Sequence, residues 1–163
     1  MAYILKSNVN IIYQAGTIPS EEQTSTSVTN STYKMDAANK LVRNIEISQT
    51  VGAFKATFAN GSVKIFSGNT ELSDSTVMAS GMIIKFYEND GSYSTSYMAS
   101  VRGDTNGDGA ITISDLVCIR RHLAGLDTLE APYQYGGDIN SSNDVTISDI
   151  VVLRRFLAGL QSM

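Results

Sequence analysis

Two short stretches hold the residues best suited to chemistry, and both are rich in oxygen. The first runs Asp104, Asn106, Asp108, Ala110, Thr112, Asp115. The second runs Asp138, Asn140, Ser142, Asp144, Thr146, Asp149. Calcium is a hard cation that takes six to eight oxygens, and a twelve-residue loop offers them from positions 1, 3, 5, 7, 9 and 12. Counted from Asp104, every slot is suitably filled. Asp104, Asn106, Asp108 and Asp115 give side-chain oxygens at positions 1, 3, 5 and 12. Ala110 gives its backbone carbonyl, and Thr112 holds a bridging water. Gly109 stands at position 6, where the turn needs a positive φ, and Ile111 is expected to turn into the core.

The second loop is poorer. Asp138, Asn140 and Asp149 hold positions 1, 3 and 12, but Ser142 brings a neutral hydroxyl to position 5. Asn143 replaces glycine at position 6 and tolerates the left-handed region best among the larger residues. Asp144 supplies a carbonyl, with its carboxylate expected to point outward, and Thr146 matches Thr112. Two strong anionic ligands against three predict weaker calcium binding at the second of two sites.

These loops need elements that hold them. Residues 103–126 align without gaps on 137–160, with 14 of 24 positions identical at an offset of 34. That agreement excludes chance Asp/Asn turns. Each copy predicts a polar loop and then a helix of about three turns. Leu116, Ile119, Leu123 and Leu126 form one apolar stripe, and Ile150, Leu153, Leu157 and Leu160 form its twin. Gly125 and Gly159 sit where a helix end favours a left-handed residue. Ser114 and Ser148 are placed as N-caps, and the paired arginines suit the negative ends of the helix dipoles.

The rest of the chain has other textures. Residues 3–15 fit a strand or the tail of a preceding domain, and 16–32 have the Thr/Ser composition of a linker. From 33 to 102, strand candidates lie at Val63–Phe66, Met82–Tyr87 and Tyr93–Val101, with Tyr93, Tyr97 and Val101 on one face. Asn60-Gly61 and Asn89-Asp90-Gly91 are turn signals. Val51, Phe54 and Phe58 predict one short helix capped by Thr50. The expected fold is therefore α+β: a small β-rich module at 33–102, then an all-α unit of two calcium loop–helix (F-hand) repeats at 103–163.

The −4 charge lies wholly beyond residue 102, where four arginines face eight acidic residues. With no basic stripe, nucleic acid is excluded as a partner. One cysteine, Cys118, allows no internal disulfide. It aligns with Val152 and reads as a core residue, as lone His122, aligned with Phe156, reads as a packing residue. No apolar run approaches a membrane span of ~20 residues. Met1-Ala2-Tyr3 opens without a basic or apolar leader, so a piece of a longer, secreted or surface-attached protein is expected.

The repeats resemble type I dockerins of cellulosome-like systems, on the GD-x-N-x-D-G…D loop, the Asp at position 12, the shortened helix and the LAGL ending. Thr50–Lys55 and Ser80–Met82 give residues 33–102 a fainter likeness to the X modules that precede such dockerins. The resemblance implies a secreted, non-catalytic module that binds a cohesin and anchors a protein in a complex that degrades polysaccharide. It places partner contacts at Ile113, Ser114, Arg120, Arg121 and Gly125, and at Ile147, Ser148, Arg154, Arg155 and Gly159. Because the two sets are identical, it also implies binding in two orientations about 180° apart. The alternative is a carbohydrate-binding or adhesive role for residues 33–102, against which the absence of tryptophan weighs. An enzyme is not expected, since no base, nucleophile and orienting group are set together.

Overall fold

A computed structural model describes Asn30 and residues 32–58 and 62–163. The strand expected at 3–15, most of the linker expected at 16–32 and the Asn60-Gly61 turn lie outside the described residues. Asn30 is bonded into the fold: its amide donates to Thr57 O at 3.1 Å and its Oδ1 accepts from Tyr33 N at 3.1 Å.

Alternation of apolar and polar residues builds one sheet. Its strands are β1 (Lys34–Asp36), β2 (Leu41–Ile45), β3 (Ser62–Ser67), β4 (Thr70–Glu71), β5 (Ile83–Tyr87) and β6 (Tyr93–Val101). Helix α1 (Val51–Lys55) lies between β2 and β3 in the chain. The strand order is β1-β2-β6-β5-β3-β4. Neighbours are antiparallel except β2 and β6, which run parallel with Leu41 opposite Met98 and Ile45 opposite Val101.

One sheet face carries Val63, Ile65, Ile84, Phe86, Tyr97 and Ala99, all buried with Val51 and Phe54 of α1. Apolar residues three apart in α1 point the same way, and Thr50 Oγ1 caps the helix by accepting from Ala53 N at 3.2 Å. Tyr33 stacks on Phe54 at 4.9 Å, and Phe86 meets Tyr97 edge to face at 5.7 Å. Such offset and edge contacts suit the aromatic quadrupole.

The helical part holds α2 (Ile113–Leu123), α3 (Tyr133–Gly137) and α4 (Ile147–Leu157). Leu116, Ile119, Ile139, Val145 and Leu153 form its core, with Ile111, Ile150, Val152 and Leu157 packed around them. Ile111 thus turns inward as its loop position requires. Leu123, Leu126 and Leu160 do not follow the expected stripes and are exposed. The chain leaves the helix axis at Gly125 (φ +67°) and Gly159 (φ +70°). Leu126 N then donates to Arg121 O and Leu160 N to Arg155 O, the Schellman arrangement.

The expected fold class needs correction. The N-terminal part is not merely a small β-rich module but one six-stranded mixed sheet across residues 34–101. The C-terminal part is not just two loop–helix repeats, because α3 stands between them and packs on β6 and β2. Overall the chain is α+β, with the sheet joined to the helices through that third helix. Gly136 makes the approach possible: a Cβ there would lie 2.7 Å from Val101 O. Gly103 N donates to Gly136 O at 2.8 Å, and Ser100 Oγ donates to Pro132 O at 3.0 Å.

Candidate calcium loops and docking face

Each loop is organised around the carboxylate at its last position. Asp115 is fully buried, and its Oδ1 accepts from Thr105 N at 2.9 Å and Asn106 N at 3.2 Å. Its Oδ2 accepts from Thr112 N at 2.8 Å. Asp149 repeats the pattern, accepting from Asn140 N at 3.1 Å and Thr146 N at 2.9 Å. Position 12 therefore ties the loop's start to its own helix.

Those bonds also complete capping boxes. Thr112 and Thr146 are the N-caps, and Asp115 and Asp149 answer from three residues on. Ser114 and Ser148, expected to cap, instead lie inside the first turn, where their amides donate to Thr112 Oγ1 and Thr146 Oγ1. Their hydroxyls stay at the surface.

The first-position carboxylates are held by amides too. Asp104 Oδ1 accepts from Gly107 N at 2.7 Å, and Asp138 Oδ1 from Ser142 N at 2.8 Å. Gly109 and Asn143 both have the expected positive φ, +78° and +72°. So do Gly107 and Ser141, which the sequence did not single out. Burial pushes the Asp104 carboxyl above its ordinary range, and the nearby Asp115 charge adds to this, against the amides that lower it.

The donor chemistry of the first loop fits a hard divalent cation. Asp104 and Asp115 are fully buried, and among the described residues neither has an ion-pair partner. Buried anions without a counter-charge are costly, so a cation supplied from solution would relieve both. Asp108 and Asn106 are more exposed, and their side chains bond to each other at 2.7 Å. Ala110 N donates to Asp108 Oδ1 at 2.8 Å, while the Ala110 residue stays exposed. Among the described residues no three or more His, Cys, Asp or Glu side chains stand together as a metal cluster. The fit rests on mixed oxygen donors.

The second loop differs from the first at Ser142 and Asp144. Ser142 Oγ donates to Asp144 O at 3.1 Å, so two of its candidate donors engage each other. Asp144 is exposed, with Oδ1 turned back onto Val145 N. Unlike Asp104, Asp138 faces a cation, with Arg43 Nη2 at 3.6 Å from its Oδ2.

All ten residues named as partner contacts are exposed. Ile113 and Ile147 are 69% and 73% exposed. Val117 and Val151, one turn on, are exposed as well. The i, i+4 spacing from each isoleucine could have found them. Arg121 Nε lies 3.5 Å from Asp127 Oδ2, whereas the equivalent Arg155 has no such pair among the described residues.

The other singled-out side chains have structural surroundings. His122 Nδ1 accepts from Leu129 N at 3.2 Å, and Cys118 is half-buried, its thiol pushed up chiefly by burial. Tyr97 is buried. Exposed Tyr93 meets Tyr87 edge to face rather than forming a flat platform, and Tyr133 sits against Gly81 and Gly107. The model of the dockerin type I domain matches residues 102–158. No curated protein and no solved structure gives a match.

Proposed function

From residues 102–158, a type I dockerin domain, we infer that this chain is a calcium-dependent assembly module that carries its parent protein onto a cohesin. Dockerins are non-catalytic and bind cohesins, typically within cellulosomes, and they hold calcium in their loops. At the first loop the ion is held by Asp104, Asn106, Asp108, the Ala110 carbonyl, Thr112 and Asp115. At the second it is held, more weakly, by Asp138, Asn140, Ser142, the Asp144 carbonyl, Thr146 and Asp149. Ion binding keeps each loop closed on its helix, so its free energy adds to the stability of the helical part. Residues 1–32 and 33–102 are then an N-terminal segment and an X-module-like spacer, with the dockerin at 103–163, in a secreted or surface-attached protein. Among the described residues no helix is long and apolar enough to cross a membrane.

The observation that supports docking most directly is the repeated surface on α2 and α4. Each helix offers an exposed isoleucine, serine, valine and arginine pair in the same order, outside any core. Of these residues arginine is the type most enriched at binding hot spots. Repetition of the row supports two binding orientations, with the first or the second helix leading.

A panel of cohesins should capture the chain in calcium and release it in EDTA. Reversing charge at Arg120 and Arg121, or at Arg154 and Arg155, should leave capture intact, since the other row serves. Reversal at all four should abolish it. Capture unaffected by EDTA and by the fourfold variant would sink this function.

A further inference from the structure

The first carboxylate of each loop meets the N-terminal part, through the β4–β5 connection at the first loop and through β2 at the second, with different chemistry. At the first loop, Ser80 N donates to Asp104 Oδ2 at 2.8 Å, a neutral contact. At the second, the guanidinium of Arg43 faces Asp138 Oδ2 at 3.6 Å. Arg43 lies on β2 between the two stretches that register with β6, where a bulge interrupts the pairing and Asn44 takes φ +62°. Bulges re-aim side chains. Only 7% of Arg43 is exposed.

A buried guanidinium ordinarily satisfies its donors with close acceptors. Arg43 does not. Its Nε is buried without a hydrogen-bond partner, and its pair with Asp138 is longer than a charge-assisted hydrogen bond. Its guanidinium also lies over the Tyr135 ring, 4.0 Å from the centroid, and its charge is felt by Asp36 on the neighbouring strand. This cation is held in place by packing, on β2 and beneath α3, rather than by ideal bonding.

We propose that Arg43 is a built-in competitor of the divalent cation at the second loop, so that the sheet sets the two loops apart in affinity. The proposal rests on both loops binding calcium. A fixed positive charge beside the first ligand repels an incoming cation and neutralises part of the carboxylate that would attract it. Little water lies between them to screen the effect. The first loop meets only an amide dipole at this place, which orients Asp104 without opposing the ion. Ser142 in place of Asp108 weakens the second loop already, and Arg43 adds a cause that lies outside the repeat.

The test is calorimetric titration of the chelator-stripped full chain with calcium chloride. Wild type should show two binding events. In Arg43→Gln, and in Arg43→Met, which keeps an apolar stem against Tyr135, the weaker event should tighten on the order of tenfold while the stronger one stays put. Arg43→Lys, which keeps the charge, should stay within a few-fold of wild type. Weaker binding in the Gln and Met variants would make Arg43 a positioning group for Asp138 and overturn the proposal, as would no change. Absence of any calcium binding in wild type would instead remove the calcium function itself. Wild type alone supplies a check that needs no variant to fold. In an amide-shift titration Gly109 should saturate before Asn143, and the reverse order would count against Arg43 as competitor.

Discussion

At the scale of single residues, two hydroxyl side chains two positions apart do separate jobs in each repeat. Thr112 closes the helix start and Ser114 faces solvent, and Thr146 and Ser148 repeat the division. Thr112→Ala is therefore expected to cost about 1 kcal/mol, as lost N-caps do. Ser114→Ala should stay within about 0.5 kcal/mol, as exposed substitutions do. Urea unfolding of the calcium-treated chain measures both, and cohesin capture by the Ser114, Ser148 double variant reads the serines' other role. Sequence alone favoured the serines as caps, since either hydroxyl type can cap. The spacing that decides it was present in the chain: Thr-x-x-Asp, with the acid answering the cap from three residues on. The candidate ligand positions could be proposed because oxygen-bearing residues recur at fixed intervals. Arg43 was not, since nothing near it in sequence hints that a bulge turns it toward Asp138.

At the scale of elements, α2 and α4 face each other across Ile119 and Leu153, both fully buried. Leu153→Ala should destabilise the helical part by about 2–5 kcal/mol, the range for emptying such a site. A denaturation midpoint below that of wild type at the same calcium concentration would confirm it. The stripes were legible from their 3.6-residue period, but their ends were not. Once Gly125 and Gly159 turn the chain, Leu126 and Leu160 no longer share the helix's facing. In the sheet, burial first and the Asp36 charge second push the Tyr97 phenol above its ordinary range. The folded state then keeps that proton longer than the unfolded chain does. Stability from Tyr97 is whole below the ordinary phenol value and is lost as pH climbs through the raised one. Alkaline unfolding followed by tyrosinate absorbance should shift to higher pH in Tyr97→Phe.

At the scale of the molecule, the seam between sheet and helices is built from backbone contacts that composition does not announce. The six-strand order also escaped the sequence. A parallel β2–β6 pair joins residues more than fifty apart, and local alternation carries no record of it. Gly136 looked like one glycine among thirteen, yet its missing Cβ lets α3 reach Val101. Gly136→Ala should cost about 1–3 kcal/mol through forced backbone movement. Loss of coincidence between sheet and helix unfolding, seen by near- and far-ultraviolet dichroism, is the expected mark. EDTA should lower helicity while the Tyr33–Phe54–Phe58 cluster keeps its near-ultraviolet signal, because those rings belong to the sheet's core rather than to the core of the helices.

The uncovered isoleucine and valine rows have a further effect on how the chain behaves by itself. Two greasy ridges on a molecule of modest charge make water a poor solvent for it, and concentrated solutions should show net attraction in light scattering. Covering a ridge with a partner removes that attraction at its source. The complex is then the more soluble species, and a chain left unpaired is the one most prone to clump.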